Sequence, residues 1–239
     1  MPTDQPPATP SGTSLPSAIG SLSARSARRL SRVAATLILL AAAAGPALAQ
    51  PQALDPEITA ADHGRILGSE KAPIWMLIVS DFQCPFCRQW HHDTWPTLRK
   101  EYLNTGKIRV AYINMPLAMH ANARPAALFA MCASVKGRFW QVADQLFDAQ
   151  DKWKDLADPW PFFEGIARSV GLDGKDLRTC AEGKPIQSMV DADRTRMARA
   201  GAISTPTFFI GQSKIEGALP LAEFRQAIDG ELRRAGQRP

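Results

Sequence analysis

The sequence predicts an α/β fold in two halves, separated by a helical insertion. Three observations predict it. The apolar run "PIWMLIVSDF" (73–82) leads into helix-like sequence and then into the alternating "IRVAYINMP" (108–116), a strand–helix–strand unit. From His120 to about Ala200 the pattern is almost all helical. β character then returns in "TPTFFI" (205–210) and "SKIEG" (213–217), a hairpin turned by "GQ", before the amphipathic "PLAEFRQAIDGELRRA" (220–235).

The N-terminus reads as an export signal. Residues 1–24 are rich in Pro, Ser and Thr, a composition of disordered sequence. The basic "RSARRLSR" (25–32) precedes the 12-residue apolar run "VAATLILLAAAA" (33–44). Gly45 and Pro46 break that run, and "ALA" (47–49) offers small residues to a signal peptidase, so cleavage is expected after Ala49. The protein is then periplasmic or secreted. The alternative is a membrane anchor, although a span needs about 20 apolar residues. The pair Arg28–Arg29 raises a twin-arginine route. Ser31 and Arg32 argue against it, because apolar residues usually follow there.

The whole chain of 239 residues carries a formal charge of +5. Four arginines and Asp4 put +3 of this in residues 1–49, leaving +2 for the rest. No basic stripe with interleaved aromatics follows, so a nucleic-acid partner is not expected. With 45% apolar residues, the mature chain is long enough for one large domain with an insertion.

Residues 50–67, including "QPQALDPEIT", have two prolines and no apolar period, and read as a linker. The strand at 73–82 comes next. Residues 85–104 read as helix, with Pro85 in the first turn and a break at Pro96. "NTGK" turns the chain into the second strand. Inside the insertion, helical starts and stops bracket 121–135, 137–150, 159–172, 174–183 and 185–202.

"CPFC" (84–87) stands where the first strand ends and a helix begins. In α/β sheets, chemistry gathers at that strand edge. A cysteine at a helix N-terminus meets unpaired N–H groups and the positive dipole end, which favour its thiolate. Pro85 and Phe86 shape the turn, leaving Cys84 as the exposed nucleophile and Cys87 as the buried resolving thiol. A zinc site would need two further ligands. His91 and His92 are adjacent, and a helix turns them to different faces. A purely structural 84–87 bridge closes too short a loop to stabilise much. An inert reduced pair does not suit an oxidising compartment.

Downstream, "STPTFF" places Thr205–Pro206 at the start of a strand. In strand–helix–strand redox folds, a cis proline faces the cysteine pair. With "SDFQCPFCRQW", "GRFWQVADQLF", "GLDGKDLRTC" and "GAISTPTFFIG" in order, the chain from about Gly68 to Arg234 resembles the DsbA-like branch of the thioredoxin superfamily. These are secreted thiol–disulfide oxidoreductases.

The resemblance implies a thioredoxin fold over 68–118 and 203–239, with the helical domain inserted at 119–202. It implies that Cys84 attacks, that Cys87 resolves, and that Thr205–Pro206 forms the substrate-binding cis-proline loop. It also implies a structural Cys132–Cys180 disulfide, against the alternative of two free thiols. No metal and no cofactor are expected. The partners are cysteine-containing exported polypeptides and a membrane redox protein that reoxidises the enzyme, and the chain is expected to be a monomer. A dithiol oxidase is the leading function. A reductase or isomerase of specific exported proteins is the alternative, as is a non-enzymatic chaperone or metal-binding protein on the same fold. Relatives often carry a carboxylate six residues before the first cysteine, where this chain has Ile78. Asp81 is a candidate substitute, or else a loop residue. His120 reads as a helix-start residue. His91 and His92 are expected to tune Cys84 slightly.

Overall fold

The computed structural model describes residues 55–239; the export-signal reading of 1–49 lies outside them. The described elements are α1 (Pro56–Gly64), β1 (Ile66–Leu67), β2 (Ile74–Ser80), α2 (Pro85–Asp93), α3 (Trp95–Leu98) and, after a π-helical turn at Arg99–Leu103, β3 (Ile108–Asn114). The helices of the insertion are α4 (Ala123–Val135), α5 (Phe139–Asp148), α6 (Gln150–Trp153), α7 (Trp160–Ser169), α8 (Gly174–Glu182) and α9 (Lys184–Arg199). β4 (Thr207–Ile210), β5 (Ser213–Glu216) and α10 (Leu221–Arg234) close the chain.

The sheet runs β1-β3-β2-β4-β5, with β2 and β3 parallel and the other pairs antiparallel. β2 is central, which explains its nearly unbroken apolar run. One face of the sheet carries Ile74, Met76 and Ile78 with Tyr112, Phe208 and the Phe224 side of α10. The other carries Val79 with Met115, Ala202 and Met197 of α9. The helix after "CPFC" breaks at Thr94, and Pro96 begins the next short segment. Proline removes an N–H donor and clashes with the preceding turn.

Of the linker expected over 50–67, residues 50–54 lie outside the described residues, and α1 and β1 correct the rest. Asp55 caps α1 by accepting from the Glu57 N–H at 2.8 Å, and Pro56 holds its first position. The helix is weakly amphipathic because it docks through backbone rather than an apolar stripe. Ser134 Oγ of α4 donates to the Ala61 carbonyl at 2.6 Å. A Cβ at Gly64 would stand 2.3 Å from the Ser134 carbonyl oxygen. Arg65 follows, buried, and pairs with the buried Asp193 of α9. Asp193 Oδ2 also accepts from the Asn114 backbone and side-chain N–H groups, both at 3.1 Å. These bonds tie three distant segments to the edge of the sheet.

Candidate active site

The site is built at the C-terminal end of β2. Cys84 is the N-cap of α2, and Pro85 takes the first helical position, where a missing N–H costs nothing. The Cys84 N–H donates to the Asp81 carbonyl at 3.1 Å, curling residues 81–84 into a turn. The Asp81 N–H points at Cys87 Sγ, 3.5 Å away. Thr205–Pro206 is a cis peptide bond, and Cys84 Sγ donates to the Thr205 carbonyl at 3.4 Å. The fold therefore gathers Cys84, Pro85, Phe86, Cys87, Thr205 and Pro206 in one place. Cys132 and Cys180 lie elsewhere, joined as a disulfide between α4 and α8.

Cys84 differs from its sequence reading in one respect. It is only 3% exposed rather than an open nucleophile, because the Thr205–Pro206 loop lies against it. Phe86, 60% exposed, is the open member of the motif. Cys87 is buried beneath both.

The two thiols are driven apart electrostatically. Cys84 falls to about 6 from the ordinary 9.0. The hydrogen bond from Cys87 is the largest cause, followed by Thr205 and the N–H groups of Cys87 and Phe86, against the opposing effect of burial. Burial first, and then the neighbouring Cys84, push Cys87 well above its ordinary value. No histidine stands among the main causes of the Cys84 shift. His91 Nε2 stands 3.0 Å from Asp144 and His92 Nε2 3.6 Å from Asp148, so both face the acids of α5.

Several residues that the sequence left as loop or cap hold the site. The Asp81 carboxylate accepts from the Gln83 N–H at 2.7 Å and the Leu117 N–H at 2.9 Å, and meets His120 Nδ1 at 2.7 Å. Gln150 Nε2, from α6, donates to the carbonyls of Phe82 (2.7 Å) and Cys84 (3.0 Å). Gln83 exchanges bonds with Lys154 and Asn122. Phe82 stacks on Tyr112 and packs on Phe139 and Phe147. The inserted helices thus clamp the loop before Cys84. A glutamine such as Gln150 carries no spacing signal, so only the fold reveals it.

A low-pKa thiol capping a helix, a buried second thiol one turn on, and a cis proline against the first define a thiol–disulfide oxidoreductase of thioredoxin fold. The comparisons agree. The thioredoxin family model matches residues 60–230. A "Probable disulfide bond formation protein D" of Bacillus cereus is 27% identical over 178 residues, covering 70% of this chain and 78% of that protein. The crystal structure of Wolbachia pipientis alpha-DsbA1 superposes with a TM-score of 0.65 at 25% identity, covering 72% of this chain and 92% of that one. BdbD of Bacillus subtilis, at 22% identity and a TM-score of 0.65, covers 72% and 94% and shares the fold. The chain belongs to the thioredoxin family, in its DsbA-like branch.

Proposed function

We propose that this protein is exported and oxidises dithiols in cysteine-containing polypeptides, with Cys84 as the exchanging cysteine and Cys87 as the resolving one. One observation carries the direction: Cys84 ionises near 6 while Cys87 is held protonated. A stabilised thiolate favours the reduced pair, which makes its disulfide the oxidant.

A substrate thiolate attacks the Cys84 sulfur, the Cys84–Cys87 bond breaks, and the electron pair leaves on Cys87. A second substrate thiolate then attacks the substrate sulfur of the mixed disulfide. The substrate departs oxidised, and the enzyme keeps Cys84 as thiolate and Cys87 as thiol. Substrate lies extended along Thr205–Pro206. The exposed apolar side chains of Phe86 and of Ile203, two residues before Thr205, suit an unfolded chain. Cys132–Cys180 is structural. A membrane redox partner reoxidises the pair, and the enzyme works as a monomer. Residues 25–49 support export with cleavage after Ala49. Among the described residues, no helix is long and apolar enough to cross a membrane.

The test has two parts. Cys84→Ser is expected to abolish oxidation of a reduced model protein; full activity in that variant overturns the reading. The reduction potential of the pair against glutathione is expected toward the oxidising end of the range from about −120 to about −270 mV. A value near the reducing end supports the reductase alternative.

A further inference from the structure

The neighbourhood of Cys87 contains hydroxyls that the exchange scheme does not yet use. Ile78 leaves no ionisable group at its position in β2. In the β2–β3 register Ile78 lies opposite Tyr112. Ile78, Ser80 and Tyr112 share the sheet face on which α2 packs, because side chains two apart on a strand point the same way. The Tyr112 hydroxyl is fully buried and finds no hydrogen-bond partner. A buried orphan hydroxyl is costly, so its place asks for a reason. The ring has one: it stacks on Phe82 at 4.9 Å and packs on Phe139 at 5.1 Å. Neither contact needs the oxygen, and phenylalanine would serve both.

Tyr112 shares its buried cluster with both cysteines of the redox pair. Charge on Cys87 and on Cys84 both bear on the Tyr112 phenol, pushing it well above its ordinary value behind the larger effect of burial. Ser80 is buried at the end of β2, one residue before Asp81, whose N–H points at Cys87 Sγ, and it favours the ionised forms of both Tyr112 and Cys87. In the resting dithiol the Tyr112 hydroxyl makes no hydrogen bond. The donor that does point at Cys87 Sγ is the Asp81 N–H, at a long 3.5 Å.

We propose that Ser80 and Tyr112 form a two-hydroxyl chain that stabilises the Cys87 thiolate during exchange. Ser80 O–H donates to the sulfur, and Tyr112 O–H donates to Ser80 Oγ. The proposal rests on the reading of Cys84 and Cys87 given above. Ser80 is the residue that touches the reacting atom, and Tyr112 is a positioning residue acting through it. The chain forms only when the sulfur is charged, so the Tyr112 hydroxyl is unpaired at rest, and the two hydroxyls polarise one another when needed. Both hydroxyls keep their protons throughout. When Cys87 attacks, its proton leaves to solvent, the thiolate bonds to the Cys84 sulfur, and the bound thiol departs as its thiolate. When Cys87 is the leaving group, it departs as thiolate under the same two donors and later takes a proton from water. Ile78 explains why hydroxyls do this here: no carboxylate stands at that position to accept or supply the proton.

The experiment uses the full reduced protein and oxidised glutathione. Cys84 thiolate attacks the glutathione disulfide and forms an adduct, releasing one glutathione. Cys87 then attacks the Cys84 sulfur and releases the second. At saturating oxidised glutathione the second release is a first-order step that reports Cys87 alone. Tyr112→Phe is expected to slow that step at about pH 7 by about fivefold and to move its pH profile upward, since a hydrogen bond between neutral groups is worth about that factor. Its melting temperature is expected to equal or exceed that of the native protein, because a buried unpaired hydroxyl is gone. Ser80→Ala is expected to slow the same step, and alkylation of Cys84 is expected to stay unchanged in both variants. A native rate and pH profile in Tyr112→Phe, with adduct formation intact, overturns the proposal and leaves Tyr112 a packing residue. Failure of the unsubstituted protein to form a Cys84 adduct at all overturns the functional reading, and this proposal with it.

Discussion

Titration of Cys84 in the reduced protein tests the electrostatics of the site directly. With ionisation near 6, about 90% of Cys84 is thiolate at pH 7, against about 1% for a thiol at its ordinary 9.0. Alkylation by iodoacetamide should therefore rise about tenfold between about pH 5 and pH 7 and then level off. The plateau will be modest. A thiolate loses intrinsic nucleophilicity as its pKa falls, with a Brønsted slope of about 0.4–0.5, so three units cost roughly 20-fold. The net advantage at pH 7 over an ordinary thiol is then about fourfold, while departure of Cys84 as a leaving group is favoured. The same shift is a stability statement. Cys84 is lowered in the folded state, so its contribution is complete above the unfolded thiol's pKa and is lost as pH falls through about 6. At pH 7 the bare shift gives roughly 1.4 kcal/mol, and about 1 kcal/mol after solvent screening. Disulfide-bonded protein lacks this contribution. The melting temperature of the reduced form relative to the oxidised form should thus fall by about 2–4 °C between pH 7 and pH 5. Thr205→Val, which removes a hydroxyl favouring the thiolate, should move the alkylation midpoint upward. A midpoint at or above about 8 in the native protein refutes the reasoning.

Three further outcomes follow from the packing. Replacing both Cys132 and Cys180 by alanine opens a loop with a sequence separation of 48 and should cost about 4 kcal/mol in urea denaturation, with Cys84 alkylation unchanged. Asp193→Ala leaves the buried Arg65 guanidinium paired with Asp62 alone and the Asn114 N–H groups without their acceptor, and should cost about 2–4 kcal/mol by the same measurement. Gly64→Ala drives a methyl group against the Ser134 carbonyl and should destabilise by about 1–3 kcal/mol. Hydrogen exchange is expected to show the loss first in α1.

Much of the fold was legible because its elements are locally determined. The unbroken run at 73–82 announces a strand buried on both faces, and the observed β2 lies at the centre of the sheet. Phe139, Val142, Leu146 and Phe147 repeat at helical spacing and all are buried in α5. α1 was missed because its docking depends on a glycine, a serine hydroxyl and a buried ion pair, none of which makes a periodic pattern. The helix expected over 137–150 reaches only the first residue of α6, a single turn whose value lies in that one residue, Gln150.

The sequence by itself determined the chemistry available: two cysteines three apart at a strand–helix junction, and a Thr-Pro far downstream. Spacing and helix-end electrostatics are local, and so can be read from a string of residues. Only the tertiary structure decided how those groups are used. Contacts across 121 residues bring the Thr205 carbonyl onto Cys84, and contacts across 39 residues join His120 to Asp81. Strand register sets Tyr112 opposite Ile78. Hydrogen bonds to Cys84 and the burial of Cys87 then separate two chemically identical thiols into a thiolate and a thiol, because the cost of a charge depends on what surrounds it and not on where it stands in the chain.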